Sequence, residues 1–258
     1  MKNHFFFPYT GNKRNEVGEI HDKIKNKLSG ITTIIEPFCG SSAFSFYLST
    51  LYPGRFKYIL NDNNEHLVQL YHIAQSPEKF NKLVDELREV ISSLNKEKYI
   101  QILNTGGLIG YILSNYIYCI RPGLFPISKN GHIKTIDAFI KAPIIHFLRH
   151  ESVSISNIDA VSVYEKHMNN ETDLIFLDPP YVMLNNDAYA NTTFNIYEYL
   201  NEKSIQDSKA YIVLVLELSW IIKLLFKKEV PFMVTYEKQY QTSKKSTVHA
   251  IISNRNSI

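Results

Sequence analysis

Apolar positions along this chain alternate between two rhythms. Val17, Ile20, Ile24 and Leu28 recur at three and four, the spacing of one helix face, and Ser29-Gly30 closes that helix. Ile31-Thr32-Thr33-Ile34-Ile35 is β-branched throughout and predicts a strand. The small-residue loop Glu36 to Ser42 follows, and then the apolar run Ala43 to Leu48, which predicts a second helix. Lys57-Tyr58-Ile59-Leu60 predicts a second strand, ending at Asn61-Asp62. Helical spacing then dominates from residue 64 to about 150: Leu67, Leu70, Tyr71 and Ala74, then Phe80, Leu83, Val84, Leu87 and Ile91. Ser76-Pro77-Glu78 opens the second of these helices, with proline in the first turn. Strand rhythm resumes at Val153-Ser154-Ile155 and at Asp173 to Leu177, whose short apolar run reads as a buried parallel strand. Ile212 to Leu216 predicts another strand, and Val230 to Tyr236 with Val248 to Ser253 a final pair. The expected class is α/β. One domain of residues 1–65 and 151–258, interrupted by a mostly helical insertion, 66–150, is expected.

Composition changes this picture little. The chain has 258 residues, 45% of them hydrophobic, enough for one large domain with an insertion. A net charge of +3 permits nucleic-acid binding without arguing for it. Cys39 and Cys119 form no disulfide framework and no metal spacing, as expected of a reducing, cytoplasmic setting. The histidines are scattered and suggest no metal site. Phe5-Phe6-Phe7 is too short for a signal-peptide core. The longest apolar stretch, Tyr211 to Phe226, carries Glu217 and Lys223 and falls short of a membrane span.

The chemistry concentrates at Asp178-Pro179-Pro180-Tyr181. Two prolines force a turn at the carboxyl end of the preceding strand, the edge where open α/β sheets bind ligands. A nucleobase amino group is a poor nucleophile because its lone pair is delocalised into the ring. Asp178 and the Pro179 carbonyl would each accept one of its N–H bonds and hold the nitrogen closer to tetrahedral. Tyr181 would stack on the base once it has left the duplex. An ordinary strand-to-loop turn with a hydrogen-bonded Asp is the competing reading.

Other segments supply the setting. Gly40 lets a backbone pass close to a cofactor, although a GxGxxG pattern is lacking. Asp62, about 20 residues further on, suits ribose hydroxyls, or caps the helix near Asn64. Gly11 allows close backbone approach, and Lys13 adds a positive charge. The irregular stretch with Arg121, Lys129 and Lys134, and the basic Lys244 and Lys245, suit phosphates and base edges, as would solvated loops. The polar stretch Asn185 to Asn195 reads as a loop over the site.

Taken in order, Pro8-Tyr9-Thr10-Gly11-Asn12-Lys13, Glu36-Pro37-Phe38-Cys39-Gly40, Asn61-Asp62 and Asp178-Pro179-Pro180-Tyr181 resemble the Dam-type, D12-class N6-adenine DNA methyltransferases. The resemblance spans nearly the whole chain. It implies a largely parallel methyltransferase sheet with a reversed final strand, and S-adenosyl-L-methionine as cofactor. Tyr9, Thr10, Gly11 and Lys13 would line the cofactor site from one motif, Glu36, Phe38 and Gly40 along the methionine and adenosine, and Asp62 at the ribose. Asp178, itself beside the cofactor, would hold the target adenine with Pro179, Pro180 and Tyr181. Double-stranded DNA would be the substrate and the insertion would read it.

Ser42 departs from the family, where a second glycine is common. A serine fits there if its φ stays negative. Arg121 to Pro126 matches the family's recognition loop only loosely, so no recognition sequence is carried over. Cytosine N4 or RNA adenine methylation uses the same geometry, and a catalytically silent DNA-binding homologue keeps the same fold.

Overall fold

The computed structural model describes residues 4–7, 9, 11–116, 136–179, 205–218, 232–239 and 246–255. Seven strands form one sheet: β1 (Thr33–Glu36), β2 (Lys57–Asn61), β3 (Val153–Ser156), β4 (Asp173–Leu177), β5 (Tyr211–Glu217), β6 (Phe232–Gln239) and β7 (Ser246–Ser253). Their spatial order is β3-β2-β1-β4-β5-β7-β6. β1 to β5 pair in parallel, while β7 runs antiparallel to both β5 and β6. The reversed strand is therefore the last in sequence, placed between its two predecessors.

The central strands lack polar alternation because both faces are covered. In β4 all five residues are buried. Leu174 and Phe176 face a core shared with Phe5, Phe6, Phe7, Ile34 and Val213. Ile175 and Leu177 face the opposite core, with Ile35, Ile212, Leu214 and Val163. This is the two-residue period of a strand, with apolar partners on each side.

The helices follow the apolar spacing: α1 (Val17–Ile24), α2 (Ala43–Leu51), α3 (Glu65–Gln75), α4 (Pro77–Ser92), α5 (Lys96–Thr105) and α6 (Gly107–Tyr116). Residues 136–140 are helical, and α7 (Ile144–Leu148) and α8 (Ala160–His167) complete the set. Caps account for several starts. The side chains of Asn64, Ser76, Asn95 and Asp159 each accept a backbone N–H from the first turn of the helix they precede. α5 breaks into α6 at Gly106 and Gly107, with φ of +70° and +79°, where a side chain would be strained.

The helices after β2 do not stand apart from the sheet. Phe6, Phe80 and Phe139 pack together, with the last two rings stacked 5.7 Å apart. Arg149 Nε donates to Ala74 O, and Gln75 Nε2 to Leu148 O, tying the end of α3 to α7. Ile144 N donates to His4 O, so the amino-terminal segment is anchored on the same layer. β1 begins at Thr33, later than the β-branched run, as Ile31 N is still bonded back to Leu28 O in the preceding turn. β6 runs on to Gln239 because residues 237–239 pair with 246–248. Among the described residues no helix is long and apolar enough to cross a membrane.

Candidate active site

The site is built at the carboxyl ends of β1, β2 and β4. After β1 the chain turns sharply. Cys39 N donates to Asn61 O at 2.8 Å, and Asn61 Nδ2 donates to Pro37 O at 3.1 Å, pinning the loop to the end of β2. Gly40 takes φ +46°, and its N–H donates to Asp62 Oδ2 at 2.9 Å. A Cβ on Gly40 would meet Tyr9 Cε1 at 3.1 Å, so the Tyr9 ring lies directly against the loop. Two motifs far apart in sequence thus meet at one glycine.

Ser42 corrects the sequence expectation. Its φ is +50° and its ψ 35°, in the left-handed region rather than at negative φ. The surrounding bonds hold it there. Tyr71 Oη donates to Gly40 O, which uses its one proton, so Ser42 Oγ donates to Tyr71 Oη at 3.2 Å. Ser42 N donates to Cys39 O at 2.6 Å. On the other side His4 Nε2 donates to Ser41 O at 2.9 Å while its ring stacks on Phe46. Burial lowers the His4 pKa to about 4 and keeps the ring neutral.

The acidic residues play distinct parts. Glu36 is fully buried, and its Oε1 accepts Ser45 N in the first turn of α2 at 2.8 Å. Desolvation, opposed by the Ser45 hydrogen bonds and aided by the charge of Asp178, raises its pKa to about 8. Asp62 accepts Gly40 N through one oxygen and Asn64 N through the other, at 2.9 Å each, and burial raises its pKa. The helix cap itself is Asn64, not Asp62, since Asn64 Oδ1 accepts Leu67 N. Phe38 is half-buried against the cluster containing Ile35 and Ile175. Cys39 is buried, and burial with the charges of Asp62 and Glu36 pushes its thiol up.

Asp178 stands one residue past β4, which neighbours β1. Its Oδ1 lies 2.9 Å from Lys13 Nζ, with side-chain exposures of 18% and 5%. The amino-terminal motif therefore reaches the turn after β4 through an ion pair. Residues 9–149 match the model of the D12 class N6 adenine-specific DNA methyltransferases.

The chain belongs to that family.

It is thus an adenine-specific DNA methyltransferase, acting at N6. Its largely parallel sheet with reversed β7 is consistent with the S-adenosylmethionine-dependent methyltransferase fold, and the family generally uses that cofactor. The matched region ends before Asp178. A search of curated proteins returned no match.

Of the residues singled out in the methyltransferase sequence, the structure brings together Tyr9 with Gly40, Gly40 with Asp62, and Lys13 with Asp178. Gly11, at φ +79°, forms the turn in which Asn12 N donates to Tyr9 O. Thr10, Pro180, Tyr181, Arg121, Lys129, Lys134, Lys244, Lys245 and the 185–195 stretch lie outside the described residues. Sequence reasoning missed His4, Glu16, Tyr236 and His249, and took Tyr71 only for a core residue. Periodicity gives no sign of the Tyr71 hydroxyl, because its ring fills an ordinary position in an apolar stripe.

Proposed function

We propose that this methyltransferase binds S-adenosylmethionine against the Gly40 loop and methylates adenine N6 on a base flipped out of double-stranded DNA. The residues fit such a cofactor. Gly40 keeps the loop free of a side chain, and Asp62 offers a carboxylate to ribose hydroxyls beside it. Tyr9, against Gly40, and Phe38, half-buried within the loop, supply apolar surface, and Thr10 and Gly11 contribute to cofactor binding from the same motif as Tyr9. When bound, the cofactor supplies an electrophilic methyl group on sulfonium. The protein's part is positioning.

Asp178 accepts one N–H of the target amino group and the Pro179 carbonyl the other, which directs the nitrogen lone pair toward the methyl. Pro180 stiffens the turn, and Tyr181 stacks on the base. The single observation that carries this reading is the Lys13–Asp178 pair at 2.9 Å, which joins the amino-terminal motif to the catalytic turn at the sheet edge. The ammonium compensates the carboxylate's charge. Glu36 acts from beneath, as the buried acceptor that orients α2 under the loop. The region 66–150 reads the DNA, with Arg121, Lys129 and Lys134 on phosphates or base edges. Lys244 and Lys245, between β6 and β7, add a second basic contact. α3 serves both parts, since Tyr71 bonds the Gly40 loop. The protein works in the cytoplasm, or wherever its target DNA resides.

The test is direct. The purified protein is mixed with S-adenosylmethionine and unmethylated double-stranded DNA of mixed sequence, with RNA and single-stranded DNA in parallel. The nucleic acid is digested and its nucleosides read by mass spectrometry. N6-methyladenine from duplex DNA is expected. Product confined to RNA or single strands, or no cofactor binding by calorimetry, would overturn the proposal.

A further inference from the structure

A buried polar cluster behind Lys13 has no part in the reaction as described so far. Glu16 N and Val17 N both donate to Lys13 O, at 2.7 and 2.9 Å, so Glu16 shares the turn that carries Lys13 into α1. The Glu16 carboxylate accepts the Tyr236 hydroxyl at 2.8 Å and lies 3.0 Å from His249 Nδ1. Tyr236 and His249 are direct partners across β6 and β7, with ring centroids 5.5 Å apart. All three residues are at most 5% exposed. His249 also pairs with Glu217, the last residue of β5, which places the cluster at the edge where Asp178 stands. Burial first, then the neighbouring Glu16, and lastly the lesser charges of Asp178 and Glu19 push the Tyr236 hydroxyl pKa up.

A buried carboxylate is costly, and apolar residues of similar volume usually serve a core as well or better. Here the ionisable groups form a connected set: Asp178 with Lys13, the Lys13 turn with Glu16, and Glu16 with Tyr236 and His249. We propose that Glu16, held by Tyr236 and His249, is the positioning residue for Lys13, fixing the ammonium on Asp178 from the β6–β7 hairpin. Neither end of the connection is rigid alone. α1 is short, and a lysine side chain has many rotamers to lose. The inference rests on the reading of Asp178 as acceptor of the target amino group, and assigns the residues that keep it in register.

The test uses the full chain. Lys13 is acetylated by a dilute N-hydroxysuccinimide ester and quantified by peptide mass spectrometry against the exposed Lys25 and Lys57, without cofactor or DNA. In Glu16→Gln, Lys13 labelling should rise several-fold relative to those two, and in Asp178→Asn likewise. Where Glu16→Gln does not fold, Tyr236→Phe removes only a hydroxyl and should produce a smaller rise. Unchanged protection of Lys13 in a folded variant would overturn the proposal. A second readout is kcat for methyl transfer. Glu16→Gln should lower kcat about tenfold in the wild-type background and have no further effect once Lys13 is Met, with cofactor affinity kept within about twofold. Additive losses would assign Glu16 a purely structural role and reject the proposal. Absence of transfer by the wild type would defeat the reading of Asp178, while the labelling would still decide whether Glu16 positions Lys13.

Discussion

Lys13 Nζ and Asp178 Oδ1 are 2.9 Å apart, although they stand 165 positions apart in the chain. The pair is largely out of water, so removing one member leaves the other charge poorly compensated. Lys13→Met is expected to cost roughly 3 kcal/mol of stability, measurable by urea denaturation. Asp178→Ala should reduce methyl transfer by on the order of 10²–10³-fold, as loss of one preorganised hydrogen-bonding group does, while calorimetry shows cofactor binding close to intact. Lost binding in that variant would contradict the role given to Asp178.

The left-handed pair Gly40 and Ser42 makes opposite predictions for two substitutions. Ser42→Gly relieves about 1 kcal/mol of backbone strain and gives up one hydrogen bond to Tyr71 of similar worth, so stability should change by less than about 1 kcal/mol. Gly40→Ala adds strain at φ +46° and brings a methyl to within 3.1 Å of Tyr9. It should lose about 1–2 kcal/mol and weaken cofactor binding more than tenfold, since the ring must move from the loop. Thermal unfolding with and without cofactor separates the two effects.

Glu36 ties stability to pH in the sense opposite to a salt-bridged carboxylate, whose folded pKa is depressed. Its folded pKa of about 8 lies above the ordinary 4.5, so between those values the native state holds the extra proton. Stability from this group is fully present below pH 4.5 and is lost as pH rises toward 8, with a slope no steeper than about 1.4 kcal/mol per pH unit. Glu36→Gln keeps the acceptor for Ser45 N and should flatten that part of the profile. A denaturation series from pH 5 to 9 would refute this if the variant and wild type stayed parallel.

His4 works at the acid side. Its folded pKa of about 4 lies below the ordinary 6.5, so the unfolded chain binds the proton first. Stability should fall as pH drops from 6.5 to 4, by up to about 3 kcal/mol in total. His4→Gln, able to donate to Ser41 O, should remove this dependence. Equal acid sensitivity in the two proteins would rule it out.

Much of the architecture is legible in the residues because strand and helix leave different apolar periods. β4 and the helix faces of α3 and α4 lie where the spacing puts them. The motif order also anticipated that distant motifs meet, as Tyr9 and Asp62 do at Gly40 and Lys13 does at Asp178. The particular pairings escaped. Nothing near Lys13 in sequence announces Asp178, and nothing near Glu16 announces Tyr236 or His249, because those contacts depend on which strand follows which in space. The backbone at Ser42 escaped for a related reason: bonds from Tyr71 and Cys39 impose a conformation that serine alone disfavours.

Strand β7, reversed between β5 and β6, bears on how the protein is made. Running backwards, it delivers its early residues to the edge where the parallel strands finish, so His249 arrives beside Glu16. During translation the ribosome releases Lys13, the Gly40 loop and Asp178 long before His249. A nascent chain thus carries every residue assigned to the chemistry while the anchor of Lys13 is still unmade. The full rate of methyl transfer should therefore appear only once β7 has emerged and His249 has reached Glu16.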